Sequence, residues 1–352
     1  MKKIRVLVVD DSPVFRKLLS EVLRSDREIE VVGTASNGKE ALEKIPRLKP
    51  DVVTLDIEMP VMDGLTALEK IHRLYPQVRV IMFSSLTQKG AKETIKALSL
   101  GAFDFVTKPS SQSLTESFKR IREELLPKIK SAVPRPRPPI RKPRTPSRPQ
   151  PTRLFPTARR EVVAIGVSTG GPKALAEVIP RLPGNFPVPI LIVQHMPPIF
   201  TAQLAARLDQ LSALRVIEAN QGVPVTPGKV FIAPGDKHME VRITNGTKVI
   251  HLHKGPPENS CRPAVDVLFR SVAKVYGARS VGVIMTGMGH DGLAGAKQMK
   301  EAGALIIAQD EATSVVYGMP RAVVEAGIAD YVLPLGEIAN FLQKLFRQRI
   351  AA

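Results

Sequence analysis

Short apolar runs alternate with amphipathic segments almost from the first residue. Ile4–Val9, Ile29–Gly33, Asp51–Leu55, Val78–Phe83 and Phe103–Val106 are brief and rich in β-branched residues. That is the pattern of strands buried on both faces. Between them, Pro13–Arg24, Lys39–Lys44, Gly64–Leu74, Lys89–Leu100 and Ser113–Leu126 space their apolar residues as helices do. The alternation predicts a parallel sheet with helices on both sides.

The rhythm resumes at Val162, where a buried strand is followed by a helix to about Ile179. Further strands are predicted at Pro189–Gln194, Arg215–Ala219, Lys229–Pro234, Ser280–Met285, Ala304–Ala308 and Tyr331–Leu333. Helices are predicted at Thr201–Gln210 and Pro263–Tyr276, before Ala304, after Pro320 and at the end. Glu240–Ile243 and Thr247–Leu252 flank Asn245-Gly246, a dipeptide suited to a two-residue hairpin turn. The expected fold class is α/β, two doubly wound parallel-sheet domains, the second with one antiparallel appendage. The first spans residues 1–127, the second 159–352, and a linker occupies 128–158.

Composition changes this picture in one place. The chain has 352 residues, 43% of them hydrophobic, enough for two separate cores. No apolar run approaches the roughly 20 residues of a membrane-spanning helix. The basic start, Met1-Lys2-Lys3, leads into an apolar run that soon ends in Asp10 and Asp11, unlike an export signal. A lone cysteine, Cys261, excludes an internal disulfide and fits a reducing cytoplasm. The net charge of +18 suggests nucleic acid, but 11 Lys and Arg and no Asp or Glu lie between Lys128 and Arg160. Alternating Pro and Arg there cannot build a core, so a solvated linker of roughly 3.1 Å per residue is expected. A basic tether for an acidic partner or a membrane surface is the alternative.

Candidate chemistry gathers at the strand ends. Asp10 and Asp11 end the first strand, Asp56 the third and Ser84 the fourth, and Lys108 follows the fifth. In a parallel sheet these share one edge. Three carboxylates together repel unless a cation joins them, and an all-oxygen set suits Mg²⁺. Asp56, between such a metal and Lys108, can accept a phosphoryl group. The set resembles the receiver domain of two-component response regulators. That resemblance implies phosphorylation on Asp56, with Mg²⁺ held by Asp10, Asp11, Asp56 and the Glu58 backbone carbonyl. Ser84, Phe105 and Lys108 are then the switch residues; the family often has Thr and Tyr at the first two positions.

In the second half, Gly166-Val-Ser168-Thr-Gly170-Gly-Pro172 places a hydroxyl on a strand-to-helix turn. The pattern fits a nucleophile elbow, and equally a phosphate-cradling loop. His195 and Asp291 also follow buried strands, so Ser168, a base and an acid share one edge. The chain order Ser, His, Asp differs from that of α/β-hydrolases. His290 is expected to be a loop residue pointing away from its neighbour Asp291. His251 and His253 share a strand face and, with His238 or Cys261, offer a metal set without a second ligand pair, so satisfied or exposed imidazoles are preferred. Cys261 is expected to be a buried thiol, and His72 has no evident partner.

Taken with Val193-Gln-His195-Met, Arg262-Pro-Ala-Val-Asp266 and Met285-Thr-Gly-Met288-Gly-His-Asp291, the chain resembles the chemotaxis protein-glutamate methylesterase family, CheB. The resemblance implies Ser168 as nucleophile, His195 as base and Asp291 as its orienting acid, with Thr169 and the Met288 N–H at or near the oxyanion site. It also implies glutamine deamidation, methylated chemoreceptors as substrates, a chemotaxis histidine kinase as phosphodonor, and no cofactor in the second domain. Neither nucleic-acid binding nor membrane insertion is expected. The rival readings, a response regulator with a DNA-binding or a nucleotide-binding output, lack a recognition helix and a complete Gly-rich fingerprint respectively.

Overall fold

A computed structural model of the chain describes residues 3–109, 113–133 and 159–346. The first domain runs β1 (Ile4–Val9), α1 (Pro13–Arg24), β2 (Ile29–Ala35), α2 (Gly38–Leu48), β3 (Val52–Asp56), α3 (Gly64–Leu74), β4 (Arg79–Ser84), α4 (Gln88–Ser99), β5 (Asp104–Thr107) and α5 (Leu114–Ala132). Its strands pair in parallel in the order β2-β1-β3-β4-β5. Order reverses between β1 and β3, which opens a crevice where Asp10 and Asp56 end their strands. Helices α2, α3 and α4 start on side-chain caps: Asn37, Asp63 and Thr87 each accept a backbone N–H of the first turn.

Two helices outrun their predicted ends, both through a proline. The structure carries α2 past Pro46 and α5 past Pro127. An interior proline costs a helix about 3 kcal/mol. Along α5 the buried stripe Ile121, Leu125, Ile129, Ala132 continues at helical spacing and offsets that cost. The linker therefore does not begin at residue 128: Lys128 belongs to α5 and faces the first domain's own sheet. The rest of the Pro/Arg segment, 134–158, lies outside the described residues.

The second domain runs β6 (Val162–Val167), α6 (Gly171–Val178), β7 (Ile190–Gln194), α7 (Phe200–Leu211), β8 (Arg215–Glu218), β9 (Lys229–Ile232), β10 (His238–Thr244), β11 (Thr247–His253), α8 (Val265–Tyr276), β12 (Ser280–Ile284), α9 (Leu293–Glu301), β13 (Leu305–Gln309), α10 (Met319–Glu325), β14 (Tyr331–Leu333) and α11 (Leu335–Phe346). Seven strands form a parallel sheet in the order β14-β13-β12-β6-β7-β9-β8. The separate β10–β11 hairpin turns at Asn245 and Gly246, both with positive φ as its tight turn requires. Strands β6, β7 and β12 are buried along their whole lengths. Because β6 lies between β12 and β7, the residues that follow these three strands converge.

The domains meet face to face, with α4 packed against α6 and α7. Phe105 of β5 stacks on Phe200 of α7 at 4.6 Å between ring centroids. Beside it, the Thr169 hydroxyl donates to Asp104 Oδ2 at 2.6 Å. Gln203 Nε2 donates to Gln88 Oε1 at 3.0 Å on the rim.

Candidate functional site

Ser168 emerges from β6 on a turn with little freedom. Its N–H donates to Thr286 O at 3.0 Å, and its own carbonyl accepts from Gly171 N at 2.7 Å and Gln194 Nε2 at 3.0 Å. Gly170 turns the chain with φ +79°, a conformation costly for residues with a Cβ. Gly287 packs so closely that an added Cβ would fall 2.9 Å from Ser168 Cβ. The half-buried Ser168 side chain lines a cavity of about 670 Å³ between the domains. From the first domain, Asp104, Phe105, Arg120, Glu124 and Lys128 close it over.

His195 lines the same cavity, and Asp291 lies buried behind it. His195 Nε2 donates to Asp291 Oδ2 at 2.7 Å. Asp291 also accepts the N–H groups of Val265 (2.6 Å), Asp266 (3.1 Å) and Gly292 (3.0 Å), and Asn259 Nδ2 at 3.0 Å. Burial opposes its charge, but the His195 proton and these N–H groups hold the carboxyl down at about 2. Burial likewise opposes an imidazolium at His195. Asp291 and the Cys261 thiol outweigh it and push the ring up to about 10. The other ring nitrogen, Nδ1, faces Cys261 Sγ at 3.5 Å, and among the described residues the Ser168 hydroxyl makes no hydrogen bond. Cys261 is thus half-buried against the imidazole, not the buried thiol that the sequence suggested.

The remaining candidates divide. Thr169 is 5% exposed and its hydroxyl is taken by Asp104, while Met288 stands 37% exposed at the cavity rim. His290 is exposed, as a loop residue. His238 is fully enclosed; Nε2 donates to Pro256 O (2.9 Å) and Nδ1 accepts from Ala264 N (3.2 Å), which pins the loop carrying Cys261. His251 meets Gln221, and His253 Nδ1 accepts from Gly255 N, so these imidazoles serve the hairpin and its loop. His72 lies over Gly101 on the first domain.

At the other edge, Asp10, Asp11 and Asp56 each bring a carboxylate oxygen within 4.8 Å of the others. Lys108 Nζ stands 3.0 Å from Asp10 Oδ2 and 2.8 Å from Asp56 Oδ2. Burial raises Asp10 despite Lys108, and burial together with Asp10 pushes Asp56 up to about 6. A divalent cation between these groups would relieve that strain, so the donor set fits Mg²⁺. Ser84 is turned to Gly90 O at 3.2 Å and bonded by the Thr94 hydroxyl at 2.8 Å. The Glu58 side chain pairs with Lys89 at 2.7 Å.

Comparison with known proteins decides the family. The family model described as CheB methylesterase matches residues 163–342, and that of the response regulator receiver domain matches residues 6–119. The chain belongs to the CheB methylesterase family. It is 48% identical to a protein-glutamate methylesterase/protein-glutamine glutaminase of a Nocardioides species, over 99% of this chain and 97% of that one. It is 49% identical to the protein of that name from Pyrococcus abyssi, over 96% and 92%. The catalytic domain of Thermotoga maritima CheB methylesterase superposes with a TM-score of 0.52 at 49% identity, covering 53% of this chain and all of that one. Within this family frame, the sequence reading missed Asp104, Lys128, Asn259 and the catalytic-side placement of Cys261. Asp266 was visible in Arg262-Pro-Ala-Val-Asp266 but carried no role.

Proposed function

We propose that this chain is a phosphorylation-regulated hydrolase that demethylates glutamate methyl esters on chemoreceptors, releasing methanol, and deamidates receptor glutamines at the same site. The observation that carries this is the cavity lined by Ser168 from β6 and His195 from β7, with Asp291 of the β12–α9 loop buried behind the imidazole and bonded to it. Asp291 occupies Nε2, which leaves Nδ1 to take the serine proton. Ser168 Oγ attacks the ester carbonyl as its proton passes to Nδ1. The oxyanion is met by N–H groups at the start of α6, the Met288 N–H and the Thr169 hydroxyl. The imidazolium returns its proton to the departing methoxide, or to the departing ammonia when the substrate is an amide. Water then frees the glutamate by the same proton path. For this the Ser168 hydroxyl must reach Nδ1, where Cys261 now lies.

The first domain supplies the control. Asp56 accepts the phosphoryl group from a chemotaxis histidine kinase; Asp10, Asp11, Asp56 and the Glu58 backbone carbonyl would hold Mg²⁺, which when bound would supply neutralisation of the transferred charge. Ser84 then turns to the phosphate with Lys108, and Phe105 leaves Phe200. With it goes Asp104, which frees the Thr169 hydroxyl. The single cysteine, Cys261, is free, which fits a reducing compartment such as the cytoplasm, and among the described residues no helix is long and apolar enough to cross a membrane. Methanol release from methylated receptor by wild type and Ser168→Ala tests the chemistry; near-normal release by the variant would refute it. Labelling by a small phosphodonor should need Mg²⁺, stop with EDTA and vanish in Asp56→Asn.

A further inference from the structure

Asp291 does not stand alone beneath His195. A second carboxyl, Asp266, is 4% exposed where Asp291 is 2%. The two are arranged reciprocally between two helices. Asp291, which precedes α9, accepts the first two N–H groups of α8, from Val265 and Asp266. Asp266, in the first turn of α8, accepts the Gly295 N–H in the first turn of α9 at 2.6 Å. Each helix is thus capped by a carboxyl belonging to the other. Asn259 ties the pair together: its Nδ2 group donates to Asp266 Oδ2 and to Asp291 Oδ1, both at 3.0 Å. Asn259 lies at the exposed cavity rim with φ +51°, so the amide covers the two carboxyls from above. Neither α8 nor α9 supplies a side-chain cap of its own from the preceding residue.

We propose that Asp266 and Asn259 are positioning residues of the hydrolytic site, fixing Asp291 against His195 Nε2 through the crossed caps and the bridging amide. The inference rests on the Ser168–His195–Asp291 reading and adds the groups that set its geometry. An acid that drifts leaves the imidazole free to turn Nδ1 away from Ser168, which lowers turnover without touching substrate affinity.

The test is steady-state methanol release by the phosphorylated full chain. Asp266→Ala should lower kcat roughly ten- to hundred-fold, as loss of an orienting partner does, with KM nearly unchanged. Asp266→Asn should recover most of that loss, because the Asn oxygen still accepts from Gly295 and its volume is kept. Asn259→Gly keeps the left-handed backbone while deleting the amide, so it probes the bridge without endangering the fold. It should lower kcat about ten-fold alone and add nothing to Asp291→Asn, since both act through one group. Normal kcat in both Asp266→Ala and Asn259→Gly, or full additivity with Asp291→Asn, overturns the proposal. So does an Asp266→Asn as poor as the alanine variant. A wild-type kcat in Asp291→Asn would instead refute the underlying triad, and the inference with it.

Discussion

At the scale of single residues, the proposed chemistry turns on the protonation of His195. A general base works only when neutral. The Asp291 carboxylate and Cys261 raise the imidazole to about 10 against the opposing effect of burial, so the imidazolium persists well above neutral pH. A raised value places the active limb to the alkaline side. Methanol release by the unphosphorylated full chain should therefore keep rising with pH beyond 7. In Asp291→Asn the limb should move toward neutrality while its plateau falls, because the stabilising charge is gone and the ring is less well oriented. A wild-type limb centred at or below the ordinary imidazole value of about 6.5 would refute this account. Ser168 and His195 could be placed on one edge from the sequence because each directly follows a buried strand, whereas Asp291 reaches His195 from the loop between β12 and α9. Cys261, Asn259 and their contacts could not be placed. They arrive on the loop between β11 and α8, whose course is set by His238 and by the Arg262–Asp236 ion pair rather than by any periodic pattern.

At the scale of elements, strand β5 joins the two sites. Its residue Asp104 accepts the Thr169 hydroxyl on one oxygen and lies 3.4 Å from Lys128 Nζ on the other. Its neighbour Phe105 is 3% exposed because Phe200 covers it. Lys128, with its ammonium 5.2 Å from the Phe105 ring, completes the clamp from α5. A hydrogen bond to a charged acceptor is worth roughly 1.5–3 kcal/mol, and the aromatic stack about 0.5–1.5 kcal/mol. Asp104→Ala should accordingly raise methanol release from a small glutamate γ-methyl ester by the unphosphorylated chain about ten-fold, with little further gain on phosphorylation toward that substrate. An unchanged basal rate would show that the clamp holds nothing back. The alternation of strands and helices, and so both sheets, followed from the apolar pattern. The clamp did not, for a local reason: Pro127 signals a helix end, whereas tertiary burial of Ile129 and Ala132 carries α5 onward and brings Lys128 to Asp104.

At the scale of the whole molecule, the proposed control combines two kinds of inhibition, and substrate size separates them. With the domains together, a cavity of about 670 Å³ remains over Ser168. That space holds an esterified side chain with room to spare, but Phe105, Arg120, Glu124 and Lys128 of the first domain wall it, so a helix roughly 10–12 Å across with its side chains has to compete with them for Ser168. Exclusion alone would therefore silence the enzyme toward a helical receptor and leave it active on a small free ester. Capture of Thr169 by Asp104 acts on the chemistry itself and should slow both substrates. The isolated second domain is a sound reference, since the related Thermotoga maritima domain is known as a separate structure. Residues 159–352 should thus outpace the unphosphorylated chain on methylated receptor by a wide margin, and on a glutamate γ-methyl ester by a smaller one. Phosphorylation should narrow both gaps, and Asp104→Ala should close mainly the second. Equal rates for the domain and the unphosphorylated chain on receptor would remove occlusion from the account. Equal rates on the small ester alone would remove the Thr169 capture and leave steric exclusion as the mode of control.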